Sequence, residues 1–389
     1  MDDRPGENSG SAAWLWTTGQ VRAALETGDL GLILRTYRSA TGTSQRRIAE
    51  SLGYDPTYIS MIETGRRTVA DVRTRLRIAR HLGIPPRVLG ISDPDDADFA
   101  VMLQFGESTI RLAVLARQAG HAVTAVNELW PLVSRLEARV ADGPLEPDVL
   151  PLLCRARAEL GVSLGYILPD ERLTSAARWT GRALRLAERL DRPDLLVLAL
   201  RVHGNELRKL GRTAAAMARL GDCLQLTPAG ERGPLLIQLA RAVGDSGDPA
   251  LFDQLVVAAS QSVEDGPAHQ LAGRHAVYEV RLRGLLRTAR AGLAADLLDE
   301  QTPVATSVPP QWRAILDVTV GEVLIVRGER DAARSTFDRA LRTAREYRLP
   351  HQVQRVVAAT RDRLDDVHEV AVSELNRLTT VLSGQTISA

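Results

Sequence analysis

Apolar residues recur at helical spacing in segment after segment, and no stretch alternates apolar and polar as a half-buried strand would. The sharpest pattern lies between Leu30 and Leu89. A helix is predicted from Gly31 to Thr41, with Asp29 near its cap. Ser44 then caps a short run whose Ile48, Ala49 and Leu52 share one face, and Gly53 closes it as a glycine C-cap does. Asp55 caps a second short helix with Pro56 at its first position. Ile59 and Ile62 point inward from that helix. Thr57 and Met61 fall on its opposite face, with Tyr58, Ser60 and Thr64 at the edges. Two short helices about a glycine turn make a helix-turn-helix, whose second helix presents side chains to base edges.

The flanking patterns set the expected boundaries. Met1 to Ser11 is polar and reads as a flexible arm. Trp14, Leu15 and Trp16 bring apolar bulk expected to pack on the domain, and a short helix is predicted from about Gln20 to Glu26. Thr68-Val-Ala-Asp71 has the form of a capping box, ahead of Val69, Val72, Leu76, Ala79 and Leu82 at helical spacing. Ile84-Pro85-Pro86 opens a last short helix ending near Leu89. Ser92 to Asp96 reads as an acidic, proline-bearing linker. The expected division is an arm with a short helix over 1–29, a DNA-binding domain over 30–91, a linker over 92–97 and a helical body over 98–389. In that body, Phe99 to Gln118 and Ala122 to Val140 read as amphipathic helices.

Charge adds to this picture. Between Gly31 and Gly90 eleven arginines face Glu50, Asp55, Glu63 and Asp71, a net of +7, whereas the whole chain is +1, which leaves −6 for the rest. The positive field is thus concentrated where a polyanion would dock. A chain of 389 residues with 44% hydrophobic and 25% charged residues suits a soluble protein of two or three domains or a repeat array. Cys154 and Cys223 lack metal spacing and suit a reducing cytosol. No apolar run approaches about 18 residues. The expectation is a cytoplasmic protein without a membrane partner.

The residues of the first pattern resemble the phage-repressor/Cro, or XRE, type of helix-turn-helix, a five-helix domain. Ser44-Gln45 opens the second helix, Ala49 sits where two helices cross, and Ile59-Ser60-Met61-Ile62-Glu63-Thr64-Gly65 stands where that family shows I-S-x-I-E-x-G. The resemblance implies that Gln45 touches a phosphate, that Thr57, Tyr58 and Met61 face the major groove, and that Arg66 and Arg67 hold the backbone. Arg46 and Ser60 join this DNA-binding set. It also implies a structural ion pair between Arg38 and Glu63.

From about residue 150 the chain repeats itself. Gly204, Ala216, Leu220 and Cys223 are matched by Gly321, Ala333, Phe337 and Ala340, with offsets of twelve, four and three residues. Fainter copies begin near Ala240 and Ala276, a weaker unit runs from Leu152 to Leu190, and Gln301 to Pro310 reads as an insertion. Both sharp segments resemble tetratricopeptide repeats, which implies about five stacked hairpins with an inner wall lined by the first helix of each. Arg201, Asn205 and Arg208 recur on one face of such a helix, able to bind a peptide backbone and clamp a carboxylate. Gln238, Arg241, Tyr278 and Arg281 are weaker members of the same expected effector site.

No catalytic or cofactor motif stands out. Gly161-Val-Ser163-Leu-Gly165 matches the G-x-S-x-G elbow of serine hydrolases but lies inside a helical pattern, whereas the elbow needs a strand before it. The seven histidines are dispersed, and neither a metal motif nor a phosphate loop is present. The expectation is therefore a non-enzymatic, all-α protein: an XRE-type head followed by a tetratricopeptide-like α-solenoid. The combination resembles peptide-sensing quorum regulators, which implies a homodimer on a double-stranded DNA operator, with a peptide or small-molecule effector in the body. The alternative is a protein-interaction scaffold or antitoxin-like partner with an autoregulatory DNA-binding head.

Overall fold

Four caps fix the N-terminal helices, three of them where the sequence places them. Asp29 accepts from the N–H groups of Gly31 and Leu32 at the start of α2 (Leu30–Thr41). Ser44 accepts from Arg47 N at the start of α3 (Gln45–Leu52), and Asp55 from Thr57 N at the start of α4 (Pro56–Glu63). Gly53 takes the left-handed conformation that turns α3 into α4. The fourth cap differs from expectation. Asp71 itself caps α5 (Val72–Leu82) by accepting from Thr74 N, so Thr68 stands outside the helix. This start leaves Val72 57% exposed and turns Ile78, Ala79 and Leu82 inward.

These coordinates are a computed structural model that describes residues 19–91, 94–142, 148–265, 273–300 and 308–384. Trp14, Leu15 and Trp16, and residues 301–307 of the expected insertion, lie outside the described residues. Helix α1 (Gly19–Glu26) forms where predicted, and its Val21 and Leu25 enter the same core as Ile33, Ile48, Ile59 and Ile78. The last short helix is a 3₁₀ helix, Pro86–Leu89, ending where expected. Helix α6 (Pro94–Gln118) begins inside the segment read as a linker, because a proline's missing N–H costs nothing at a helix's first position.

The chain divides into two compact units. One takes in the residues up to Ile110 with Trp130–Ala156 and Arg185–Leu195; the other takes in Arg111–Leu129, Arg157–Leu184 and the residues from Leu196 onward. The cuts fall inside helices: α6, α7 (Ala122–Asp142), α8 (Val149–Ile167), α9 (Leu173–Ala187) and α10 (Pro193–Lys209). Within the first unit, Gly106 admits Leu152 so closely that a Cβ would lie 2.5 Å from it. The helical stretch Phe99–Gln118 is long and apolar enough to cross a membrane by length and composition alone, although polar residues interrupt it at Gln104, Glu107 and Arg111.

Helical hairpins build the rest. Helix α10 pairs with α11 (Thr213–Leu226), α12 (Gly233–Ser246) with α13 (Pro249–Asp265), and α14 (Arg274–Arg287) with α15 (Ala291–Glu300). Next come α16 (Pro310–Arg327) with α17 (Arg330–Glu346), and α18 (Pro350–Thr360) with α19 (Asp365–Gly384). With α8 and α9 that makes six hairpins among the described residues, one more than expected. The repeated small residues act as spacers. A Cβ on Gly204 would meet Leu220 at 2.8 Å and one on Gly321 would meet Phe337 at 2.6 Å, the same sixteen-residue offset. No strand occurs among the described residues.

Candidate nucleic-acid interface and ligand cavity

Helix α4 is amphipathic over two turns. Ile59 and Ile62 are sealed in the core, so Thr57 is fully outside and Ser60 and Met61 are half-buried on its outer side. Arg66 and Arg67 follow at once, both exposed. What holds the helix in this attitude is Glu63, 2% exposed. Its carboxylate accepts from Arg38 Nε at 2.7 Å and Arg38 Nη2 at 3.0 Å. Gln45 Nε2 donates to the same carboxylate at 2.7 Å, and Arg35 donates to the Glu63 carbonyl.

The predicted residues therefore sort into two groups. Thr57, Ser60, Met61, Arg66 and Arg67 share one surface. Gln45 gives one N–H of its amide to Glu63, which draws its side chain onto the ion pair and leaves the second N–H outside that bond. Arg46 is exposed and bonded to Glu50 at 2.7 Å. Tyr58 is part of a stack, with the Arg67 guanidinium 4.8 Å above its ring and Tyr54 4.9 Å away. Chemically, this surface offers two hydroxyls and a thioether flanked by cations.

The second unit holds a cavity of about 460 Å³. Arg201, Asn205, Gln238 and Arg241 line it, together with Tyr166 and Trp312. Trp312 lies under the Arg241 guanidinium at 4.7 Å. Its rim includes the buried pair Arg117–Glu159 at 2.8 Å. A smaller chamber of about 70 Å³ shares Tyr166, Asn205 and Arg241 with it, and Arg208 lines that chamber. Tyr278 packs instead against Leu282 and Leu285 in an apolar cluster, and Arg281 is exposed away from both spaces. Both expected positions sit on α14, where the inward face is offset from the assumed one. Gly161 and Gly165 lie within α8, where a Cβ on Gly161 would meet Thr180 at 2.6 Å, so no strand-to-helix elbow is formed there.

Sequence reading missed a ladder of buried polar residues along the first helices of successive hairpins. Arg208 of α10 donates to Asp245 of α12 at 3.1 Å, and Arg241 of α12 donates to Glu279 of α14. Glu279 accepts from Thr319 of α16 at 2.9 Å, and Thr319 accepts in turn from Arg355 of α18 at 2.9 Å. The signal was present as polar and charged residues recurring 36 to 40 positions apart. Burial alone would raise the Glu279 carboxyl, but Arg241, Arg283 and Arg355 hold it down to about 2. Burial, reinforced by Arg283 and Arg241, pulls Arg208 down to about 10. No group of histidine, cysteine and acidic side chains able to hold a metal occurs among the described residues.

Residues 29–89 match the family model described as a helix-turn-helix domain. No curated protein matches the chain. Twenty solved chains do. Among them is PlcR of Bacillus thuringiensis in complex with the peptide PapR7 and DNA, 13% identical over 70% of this chain and 95% of that one, with a TM-score of 0.35. Another is BtubC (BKLC) from P. vanneervenii, 16% identical over 71% of this chain and 94% of that one, with a TM-score of 0.26. A circular tandem repeat protein covers 97% of this chain and 88% of its own at 15% identity and a TM-score of 0.20. At scores this low, none of the three transfers a partner to this chain.

Proposed function

We propose that this chain, whose residues 29–89 are a helix-turn-helix domain, is a sequence-specific DNA-binding regulator that acts in the cytoplasm as a homodimer. Its helical-repeat unit binds a peptide or small-molecule effector, and that binding sets the spacing of the two heads. The observation that carries the reading is the outer side of α4, where exposed Thr57 stands beside Met61 and is followed by the cations Arg66 and Arg67. Base edges are read from such a face, and phosphates by such a rim. Half-sites one helical turn apart lie about 34 Å from each other, so a shift of a few ångströms between heads is enough to lose register. The cavity of about 460 Å³ falls in the size range of small-ligand sites and supports the effector reading over a flat protein-docking wall.

A gel shift against the DNA upstream of the chain's own coding region, at two salt concentrations, tests this. The expected result is a specific complex that outlasts excess random DNA and weakens steeply with salt. Binding that random DNA competes away at equal concentration would refute it.

A further inference from the structure

The chamber beside the larger cavity is densely charged. Arg208, Lys209, Arg241, Arg283 and Arg355 gather on or next to its wall, against the acids Glu206, Asp245, Glu279 and Glu322. Four of the five cations have an acid at hydrogen-bond distance. Lys209 donates to Glu206 at 2.8 Å, Arg208 to Asp245 at 3.1 Å, Arg241 to Glu279, and Arg355 to Glu322 at 3.2 Å. Arg283 does not, because its closest approach to an acid is Asp245 at 3.8 Å, beyond a hydrogen bond, and the other oxygen of Asp245 already serves Arg208. Asp245, Glu279 and Glu322 surround the Arg283 charge and keep its guanidinium protonated, but none meets its N–H fork at hydrogen-bond distance, so the fork lacks a short acceptor.

A second, uncharged donor points to the same gap. Gln311, 1% exposed, lines the chamber, and its Nε2 has no hydrogen-bond partner. Buried donors left in that state are uncommon and call for an acceptor. The chamber borders the larger cavity at Tyr166, Asn205 and Arg241, which line both. That larger cavity is apolar on much of its wall, through Val114, Val162, Val197, Ile237 and Trp312.

We infer that Arg283 and Gln311 seat the carboxylate of a small effector in this chamber, while the effector's apolar body fills the adjoining cavity against Trp312. The inference rests on the effector reading above and names the chemistry of its ligand. A guanidinium fork without a short acceptor, an unpartnered amide donor and a space of about 70 Å³ fit a carboxylate, a planar acceptor that matches Arg283. The carboxylate has two possible sources, the C-terminus of a short apolar peptide or a free organic acid.

Isothermal titration of the full chain with phenylacetate, its neutral isostere phenylacetamide, inorganic phosphate, and one apolar hexapeptide with a free or amidated C-terminus separates the cases. Phenylacetate or the free-acid peptide is expected to bind at least tenfold more tightly than its amide, and whichever does so identifies the source. Arg283→Met is expected to erase that preference. Gln311→Glu places a carboxylate on the chamber wall, so it is expected to melt above the parent chain and to lose carboxylate binding. Amides that bind as well as acids, phosphate binding without carboxylate binding, or a Gln311→Glu chain that melts lower and still binds the acid would overturn the inference. The regulatory reading fails separately. If carboxylates bind as described but leave DNA affinity unchanged, the chamber stands and the effector role falls; if an amide alters DNA affinity, the reverse holds.

Discussion

Arg38 and Glu63 lie 25 residues apart and meet as a two-bonded pair, Nε to Oε1 at 2.7 Å and Nη2 to Oε2 at 3.0 Å, which ties α2 to the end of α4. Glu63 is almost wholly buried, whereas Arg38 keeps 28% of its side chain in solvent. Removing Arg38 leaves a buried carboxylate short of its main partner. Arg38→Met is therefore expected to cost about 2–4 kcal/mol. Hydrogen exchange of the α4 amides measures this: they lose protection in Arg38→Met, while the amides of α16 and α17 keep theirs.

A second restraint on α4 is steric. At Gly31 a Cβ would fall 2.6 Å from the carbonyl oxygen of Ile62 and 3.3 Å from that of Glu63, both backbone atoms that cannot step aside alone. Gly31→Ala is expected to displace α4 and to cost about 1–3 kcal/mol. DNA affinity should fall for every sequence tested with little change in their order, as gel shifts over a panel of duplexes would show.

Much of this head was legible because its signals are local. Ser44, Asp55 and Gly53 state a cap or a turn within four residues of the groups they satisfy. The failures were of longer range. Thr68 to Asp71 satisfies a capping-box pattern, yet the side chain that caps is Asp71, and only the core of Ile78 and Leu82 decides which start is used. The bond from Gln45 to Glu63 gave no sign in the sequence, because the two are 18 residues apart. In the repeats, Gly204 and Gly321 announced their packing through fixed offsets to Leu220 and Phe337. The polar ladder was harder to see, since Asp245, Glu279 and Arg355 each look like ordinary helix-surface charges, and Arg208 like an effector clamp, until the hairpins bring them together.

That ladder makes an acid-sensitive element. Glu279 moves from an ordinary 4.5 to about 2 in the folded chain. A folded value below the unfolded one means that its contribution, on the order of 3 kcal/mol, is present above about pH 4.5 and disappears as pH falls toward about 2. Thermal melts across that window should show a steeper acid loss for the parent chain than for Glu279→Gln. The variant should also be less stable at pH 7, because Arg241 then has no acid.

The two arginines after α4 belong to a different class from the side chains on it. Arg66 and Arg67 are exposed and expected to meet phosphates, so Arg66→Ala should weaken binding to all sequences alike and lower the slope of log affinity against log salt by about 0.9. Arg67→Ala should do more, because it also removes the cation stacked on Tyr58. Titrations at four salt concentrations give both slopes.

The central claim is that the outer side of α4 reads DNA sequence, and selection from a random duplex library tests it most directly. The parent chain is expected to enrich one motif with two related half-sites. Thr57→Ala and Met61→Ala are each expected to enrich a motif altered at one or two positions in each half-site, the lost discrimination being about 1–3 kcal/mol per base. No enrichment by the parent chain, or identical motifs from all three proteins, would contradict it.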